Sequence, residues 1–248
     1  MDPKGKVALV TGGGDRLGRA ISLGLAQAGA RIVVHYNHSA GAAEETAREA
    51  RRLGTQALTV QADLAQPEAA QAVAQATVEH FGRVDILVHA ASPFVRSSLA
   101  DVTLDAWRQV MAVVVESFVL LAQQLAPGMV QRGEGVLVPI LDRGAFDPWP
   151  DYLAHGVAKG ALWTLARSLA VELAPQVRVN GVVPGPVLPP PGLRAELAEK
   201  VAKGTLLGRW GSPQDVVEAV LFLVRSDFST GEVLFVDGGE RWAHRLPT

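Results

Sequence analysis

The sequence predicts an α/β fold, with a doubly wound parallel sheet of about seven strands between two layers of helices. Short, apolar, β-branched segments alternate with longer helical segments along all 248 residues. The strand segments are apolar on both faces, as a parallel sheet covered by helices requires. Hydrophobic residues make up 48% of the chain and charged residues 19%, which excludes a disordered chain. We expect residues 1–248 to form a single domain.

Composition also excludes several classes of function. The net charge of −2 gives no electrostatic footprint for nucleic acid or an anionic membrane. The absence of cysteine excludes a disulfide scaffold, a zinc–thiolate site and a cysteine nucleophile. The six histidines show no metal-ligand spacing, so we expect no metal. The N-terminus lacks the apolar region of a signal peptide, and residues 110–125 indicate a buried helix, so we expect a cytoplasmic protein.

The predicted elements follow from the pattern of apolar runs and their stop signals. Gly29, Gly54 and Gly133 are typical of helix ends, while Pro67 and Pro213 are typical of helix starts. The predicted strands cover residues 6–10, 31–35, 57–61, 84–89, 136–141, 177–183 and 233–236. The predicted helices cover residues 16–28, 42–53, 68–81, 153–173 and 214–224, with two consecutive helices around 107–132 and a short one at 193–201.

A glycine-rich turn follows the first strand and opens the first helix, with the sequence TGGGDRLG at residues 11–18. Glycines let the backbone approach a pyrophosphate, and a helix N-terminus favours its negative charge. A tight turn alone would explain the glycines, but the strand–turn–helix context predicts a dinucleotide site. The fold is then of the Rossmann type.

The end of the second strand indicates which dinucleotide binds. A carboxylate there would receive the ribose 2′-hydroxyl of NAD, whereas this chain has His35, Asn37, His38 and Ser39 and no acid. Arg16 lies in the preceding turn, within reach of a 2′-phosphate. NADP(H) therefore fits better than NAD(H), although the histidines would also serve as simple caps of strand and helix.

Several motifs together resemble the short-chain dehydrogenase/reductase superfamily. Besides the glycine-rich turn, these are QADL at 61–64, LVHAAS at 87–92, AKGAL at 158–162, RVNGVVPGPV at 178–187, LGRWGSPQDV at 207–216 and VDGG at 236–239. Within it the chain is most similar to pteridine reductases, which share the Arg-Leu-Gly of the turn, a His-Tyr-x-x-Ser stretch, an Ala-Ser pair and an Asp after the fifth strand. The resemblance covers essentially the whole chain. It implies a cofactor half near residues 1–140 and a catalytic half near 141–248.

The resemblance also implies which residues hold NADP(H). The pyrophosphate and adenosine phosphate would lie against the turn, and the 2′-phosphate would lie against the end of the second strand. The adenine would lie against the end of the third strand. The nicotinamide and its ribose would lie against Lys159 and two later loops. The implied residues are Gly12, Arg16, Leu17, Gly18, Asn37, His38, Ser39, Asp63, Leu64, Ala90, Ala91, Ser92, Lys159, Pro184, Gly185 and Val187.

The catalytic pattern of the superfamily is altered in this chain. Members carry a Tyr four residues before a Lys, which places both on one helical face, together with a Ser and an Asn. Here Lys159 is present, but His155 stands at the Tyr position, Asp142 at the Ser position and Val114 at the Asn position. Tyr152 lies one further turn back.

Two hypotheses follow. In the first, the imidazolium of His155 donates the proton, with Asp142 orienting it and favouring its charge while Lys159 opposes that charge. The chain would then be an NADPH-dependent reductase of a pterin-like or other conjugated C=N or C=O group. In the second, the site is degenerate and the chain binds NADP(H) as a sensor or scaffold.

Other candidates are less specific. Trp149 and Phe94 would stack on a flat heterocycle or pack within their own loops, and Arg143 and Arg96 would contact a polar substrate or solvent. The loop at residues 184–192 has five prolines, which suits a ligand lid or an inert connector. Residues 241–245 would form a subunit contact or a frayed end. We expect a homotetramer, because the family is commonly tetrameric and residues 106–125 and 153–173 are long and apolar.

Overall fold

Six parallel strands form the main sheet of the computed structural model, which describes residues 1–190 and 192–245. Their order is β3-β2-β1-β4-β5-β6, and strand order therefore reverses between β1 and β4, where doubly wound sheets bind ligands. The fold class predicted from the sequence is confirmed. The strands are β1 (Val7–Thr11), β2 (Arg31–Tyr36), β3 (Ala57–Gln61), β4 (Ile86–His89), β5 (Gly135–Pro139) and β6 (Val177–Val179).

Eight α-helices lie in the described part of the chain, and those that connect the strands cover both faces of the sheet. Their bounds lie within a few residues of the predicted ones, the usual scatter of helix ends. They are α1 (Arg16–Gln27), α2 (Ala40–Arg52), α3 (Pro67–Phe81), α4 (Leu104–Met111), α5 (Ser117–Arg132), α6 (Leu153–Glu172), α7 (Ala195–Lys203) and α8 (Pro213–Arg225).

The sixth predicted strand is in fact two. After β6 the chain continues as β7 (Gly181–Pro184), which pairs in parallel with β8 (Val233–Val236). Asn180 lies between β6 and β7; its amide nitrogen donates to the Ser229 carbonyl at 2.7 Å and its amide oxygen accepts from the Glu232 N–H at 3.1 Å. These side-chain bonds replace ladder bonds at the break. A single bridge between Ile140 and Val182 joins the pair to the main sheet, so the predicted count of about seven strands becomes six plus two.

Each strand of the sheet centre is buried on both faces, as its composition predicted. In β1 the side chains of Val7 and Leu9 pack into one core and those of Ala8 and Val10 into the other. All four are fully buried. This alternation places a helical layer on each side and leaves the carboxyl ends of the strands as the open edge for ligands.

The stretch Leu104–Arg132 is long and apolar enough to cross a membrane by composition alone. It consists of α4, a π-helical turn (Ala112–Glu116) and α5. Phe118, Leu121 and Met129 are buried in the core against the sheet and neighbouring helices. It is therefore a core helix, as the sequence predicted for residues 110–125.

Two buried histidines hold the carboxyl ends of β1, β2 and β4 in register. Nδ1 of His35 accepts the Gly12 N–H at 3.2 Å, and its Nε2 faces the Ala62 carbonyl at 3.1 Å. The Thr11 hydroxyl oxygen accepts two backbone N–H groups, from Ala90 and Ala91. Its own proton is therefore donated to Nδ1 of His89, 3.0 Å away. Both rings are neutral, with the proton on Nε2.

Burial is the main reason that neither ring is charged. It lowers the pKa of His35 to about 4. Burial, followed by the charge of Lys159, lowers the pKa of His89 to about 3. Protonation of either ring would remove the lone pair on Nδ1 that accepts its hydrogen bond.

We expect the free energy of unfolding to decrease as the pH falls from about 6.5 towards 4. The unfolded chain binds protons at its histidines in this range, whereas the folded chain does not until about pH 4 at His35 and about pH 3 at His89. Each histidine contributes a slope of up to about 1.4 kcal/mol per pH unit. Urea denaturation between pH 7.5 and 4.5 measures it, and His35→Asn should show about half the slope between pH 6 and 5. A wild-type stability that stays level across this range would contradict the assignment.

Candidate active site

The glycine-rich turn between β1 and α1 leaves no room for side chains. Gly12 has a left-handed φ of +62°, and a Cβ there would lie 3.1 Å from the Ala91 Cα. A Cβ on Gly18 would lie 2.0 Å from the Gly12 carbonyl oxygen. The turn ends at the N-terminus of α1, where the Asp15 carboxylate accepts the Arg16 N–H at 2.7 Å. This cradle suits a pyrophosphate lying against backbone N–H groups.

Arg16 extends from the turn across the mouth of a cavity. Its backbone is also left-handed, with φ of +47°, and its side chain is exposed. One guanidinium nitrogen lies 3.5 Å from the Leu188 carbonyl oxygen in the proline-rich loop. Within the described residues this long contact is the one that holds the side chain, and a bound phosphate would outcompete it.

The residues expected around the 2′-phosphate lie at the end of β2. His38 and Ser39 are exposed, while the Asn37 amide nitrogen donates to Asp63 Oδ1 at 3.2 Å. Asp63 lies after β3, and Leu64 beyond it is buried in the core. No acid follows β2 directly in the sequence. However, the carboxylate of Asp63, which follows the neighbouring strand β3, lies beside Asn37.

The segment after β4 lies against the glycine-rich turn. Ala90 and Ala91 donate their N–H groups to Thr11. The Ser92 hydroxyl is buried and makes no hydrogen bond to the described residues, and it lines the cavity. An unpartnered hydroxyl beside a phosphate cradle fits a ribose or a polar ligand group.

The cavity has a volume of about 580 Å³ and lies at the carboxyl edge of the sheet, between the turn, the end of β5, α6 and the proline-rich loop. It brings together most of the predicted residues of the catalytic and nicotinamide regions. Its lining residues are Arg16, Leu17, Ala90, Ser92, Phe94, Ile140, Leu141, Asp142, Trp149, His155, Lys159, Pro184, Gly185, Pro186, Val187, Leu188, Pro190, Trp210 and Glu240.

His155 reaches this cavity from the first turns of α6 and is only 2% exposed. Its Nε2 lies 3.5 Å from Asp142 Oδ2, an ion-pair distance that is long for a hydrogen bond. Neither ring nitrogen makes a hydrogen bond to another described residue. The edge of the ring faces Phe94, with the ring centroids 4.9 Å apart. The imidazole is therefore a buried polar group with one long contact to Asp142, and a ligand in the cavity would complete its hydrogen bonds.

Asp142 follows β5 and is oriented by the backbone. Its Oδ1 accepts the Gly144 N–H at 2.7 Å, which leaves Oδ2 towards His155. Burial opposes ionisation of this carboxyl, but the contact with His155, the Gly144 hydrogen bond and the charge of Lys159 together hold the pKa of Asp142 below its ordinary value. Asp142 is therefore a carboxylate at neutral pH.

Lys159 lies one turn after His155 on α6 and is 4% exposed. Its ammonium donates to the Ile140 carbonyl at 2.8 Å. Burial lowers the pKa of Lys159 to about 8, against the opposing effect of Asp142. The ammonium lines the cavity and so retains donors for a ribose hydroxyl.

Tyr152 belongs to an aromatic cluster beside the cavity and does not line it. Its ring stacks on Phe94 at 4.6 Å, and Trp149 meets both rings edge-on. Phe94 and Trp149 do line the cavity, as the sequence suggested for a heterocycle platform. The phenol of Tyr152 is thus a support for these rings.

Two loops close the cavity opposite the glycine-rich turn. Gly185 lies so close to Asp237 that a Cβ would be 2.5 Å from its Cα, and Val187 is buried. Residues 184–188 and 190 line the cavity, which favours the ligand-contact interpretation of the proline-rich loop; Pro191 lies outside the described residues. Residues 241–245, the predicted tail, belong to a 3-10 turn (Glu240–Arg245). In this turn the Arg241 guanidinium lies 3.7 Å from the centroid of the Phe235 ring.

Sequence reasoning missed two groups here. Glu240 lines the cavity and pairs with Arg143, with Nη1 and Oε1 2.8 Å apart. His89 lies at the end of β4, and its buried ring lies beside the backbone carbonyls of Val113 and Val114 in the π-helical turn. The position of a charged residue directly after the VDGG motif was a signal for Glu240. The role of His89 could be recognised only from its contact with Thr11.

The known proteins that resemble this chain match it over nearly its whole length. The Enoyl-(Acyl carrier protein) reductase family profile matches residues 15–240. L-rhamnose 1-dehydrogenase (NAD(P)(+)) from Sphingomonas sp. strain SKA58 is 32% identical, over 95% of this chain and 96% of that protein. The crystal structure of acetoin dehydrogenase YohF from Salmonella typhimurium is 35% identical, with a TM-score of 0.86 over 96% of this chain and 98% of that one.

A further solved structure contains a dinucleotide. FolM alternative dihydrofolate reductase 1 from Brucella canis, complexed with NADP, is 29% identical, with a TM-score of 0.91 over 100% of this chain and 97% of that one. Family profile, full-length relatives and the described fold agree: this chain belongs to the short-chain dehydrogenase/reductase superfamily of oxidoreductases.

Proposed function

We propose that this chain is an NADP(H)-dependent reductase of a pterin-like or other conjugated C=N or C=O substrate, with His155 as the proton donor. The observation that carries the proposal is the buried imidazole of His155, which has one long contact with Asp142, in a cavity that also holds Asp142 and Lys159. When bound, the dinucleotide supplies the hydride. Its fit is supported by the side-chain-free cradle at Gly12 and Gly18.

Each polar group then has a separate task. His155 gives a proton to the substrate atom that gains negative charge, and Asp142, 3.5 Å away, stabilises the imidazolium form and orients the ring. Lys159 donates to a ribose hydroxyl while it keeps its bond to the Ile140 carbonyl. Phe94 and Trp149 supply flat apolar faces for a conjugated ring and exclude water.

Support for NADP(H) comes from Arg16, His38 and Ser39. Arg16 is exposed at the cavity mouth and makes a long contact of 3.5 Å with the Leu188 carbonyl, and the other two are exposed after β2. Binding of NADP by the FolM relative agrees with this choice. We further propose a cytoplasmic location.

The second candidate function is a catalytically degenerate NADP(H)-binding protein, a sensor or scaffold. The observation in its favour is that Val114 stands at the usual Asn position and is fully buried in the core. Val114 has no polar atom to offer to the site. The cofactor cradle is the same in both candidates, so turnover is the measurement that separates them.

We also propose that the chain forms a homotetramer. A groove between α5 and α6 is lined mainly by apolar side chains, including Val119, Ala126 and Val130, and Val171 on α6 is 83% exposed. Apolar surface of this kind is stabilised when helices pair across a two-fold axis.

The first prediction concerns the cofactor. Arg16→Ala should weaken NADPH binding by roughly 10- to 100-fold, the effect of losing one charge-assisted phosphate contact, and should leave NADH binding nearly unchanged. Titration of both cofactors by fluorescence measures this. Arg96→Ala is the matched control, since Arg96 is exposed and pairs with Asp151 away from the cavity. Equal affinity of the wild type for the two cofactors would refute the NADP(H) preference.

The second prediction concerns the proton donor. His155→Ala should lower kcat by about 100- to 10,000-fold, the usual contribution of general acid catalysis, while NADPH binding persists. The wild-type rate should fall as the pH rises through about 8, because Lys159 loses its charge there. A stopped-flow or absorbance assay with a dihydropterin measures both effects, with the exposed His80→Ala as control.

Two outcomes would overturn this role. Full activity in His155→Ala would mean that the proton comes from another group. Tight NADPH binding without turnover in the wild type, together with activity created by His155→Tyr, would establish the degenerate site, because that variant restores the Tyr–Lys spacing of the superfamily.

The third prediction concerns assembly. Light scattering at micromolar concentration should give four times the monomer mass, and Val130→Asp should yield a smaller species because it places a charge in the apolar groove. Leu53→Asp is the control, since Leu53 is exposed at the end of α2. A wild-type monomer would refute the tetramer.

A further inference from the structure

The polar groups of the cavity lie in two sets, and only one is used by the proposed chemistry. The second set is the carboxylate of Glu240, at the start of the C-terminal 3-10 turn, which is held by Arg143, a residue that follows Asp142 after β5 and does not itself line the cavity. Glu240 lines the cavity beside Trp210 and the proline-rich loop, where the wall is otherwise largely apolar. A carboxylate on such a wall has to be compensated by hydrogen-bond donors or by a cation.

Arg143 compensates only part of this carboxylate. Its Nη1 lies 2.8 Å from Glu240 Oε1, and its Nη2 lies 3.2 Å from Asp147. The guanidinium also lies over the ring of Trp149, 5.5 Å from the centroid. These three contacts fix the cation, and the cation in turn fixes Glu240 in one orientation.

The ion pair with Arg143 involves Oε1 of Glu240, and the carboxylate itself is part of the cavity wall. The Glu240 side chain is 21% exposed and faces the cavity. Burial raises the pKa of Glu240; the charge of Arg143 opposes this shift, and the carboxylates of Asp237, Asp142 and Asp147 add to it. A ligand that donates hydrogen bonds would relieve this unfavourable environment.

We propose that Glu240 determines substrate specificity by binding the N–H edge of an amino-substituted heterocycle. A 2-amino-4-oxo-pyrimidine ring presents two parallel N–H donors, from its amino group and the adjacent ring nitrogen. A carboxylate accepts such a pair through its two oxygens, and Oε1 retains a free lone pair beside its bond to Arg143. Trp149 and Phe94 provide faces on which the same flat ring stacks. This inference rests on the proposed function, because it assigns the substrate class to the same cavity.

The experiment compares two ligands that differ at one position. Pterin carries the 2-amino group, whereas lumazine has an oxo group there, which would face Glu240 with a lone pair. Isothermal titration of each into the protein saturated with NADP⁺ measures affinity without any turnover. We expect the wild type to prefer pterin, and Glu240→Gln to weaken pterin binding by about 10- to 100-fold while lumazine binding stays level or tightens.

Asp147→Asn is the matched control. It removes a carboxylate from the same guanidinium, but Asp147 is 61% exposed and does not line the cavity. If Glu240 only anchors the C-terminal segment through Arg143, both variants should change the melting temperature and neither should change the preference between pterin and lumazine. Glu240→Asp keeps the carboxylate but moves it back from the cavity by one methylene group. This variant should therefore keep part of the preference for pterin even if Glu240→Gln folds poorly.

The failure of this inference and that of the proposed function have different signatures. Reduction of a dihydropterin by NADPH, with no change in preference in Glu240→Gln, would overturn the role of Glu240 alone. Pterin preference that depends on Glu240, without any consumption of NADPH, would overturn the reductase and leave this role intact. Wild-type protein that binds neither pterin nor lumazine would overturn the role of Glu240.

Discussion

The Thr11 hydroxyl is the group on which the geometry of the ligand edge depends. It accepts the Ala90 and Ala91 N–H groups and donates to His89, so a single oxygen ties the end of β1 to the segment after β4. His35 fixes the adjacent Gly12 from the other side by accepting its N–H. Both histidines perform these roles only as neutral rings. The glycine-rich turn is thus held by neutral acceptors that add no charge beside it, and the dipole of α1 remains the positive end towards a phosphate.

The charges of the groups around the cavity depend on His35 and His89 remaining neutral. Lys159 is the buried cation, and its pKa of about 8 reflects burial that Asp142 only partly offsets. A positive charge on His89 would depress that pKa further, since the two groups interact. The low pKa of His89 therefore protects the charge of Lys159 at neutral pH. At neutral pH, His155 therefore lies beside one cation, Lys159, and one anion, Asp142.

Much of this was predictable from the sequence, because the glycine-rich turn and the His155–Lys159 spacing are local patterns. The turn has to be tight where Cβ atoms have no room, and residues four apart share a helical face. The remaining features depend on tertiary contacts between distant segments. Arg143 meets Glu240 only because β5 and β8 end at the same edge, and Asn37 meets Asp63 only because β2 and β3 are neighbours. The break at Asn180 was hidden because its flanking valines continue the apolar run.

The energetic state of His155 bears on whether the cavity works as an active site. A buried polar atom without a hydrogen-bond partner costs about 1–3 kcal/mol; among the described residues Nδ1 of this ring has no partner, and Nε2 has only the 3.5 Å contact with Asp142. A leucine or phenylalanine at the same position would remove that cost in a cavity already lined by Phe94, Ile140 and Leu141. A protein that only bound a dinucleotide would gain stability from such a replacement. An imidazole kept beside a carboxylate and an ammonium, at the expense of stability, is the arrangement expected where a ligand atom completes its hydrogen bonds, and it favours proton transfer over simple binding.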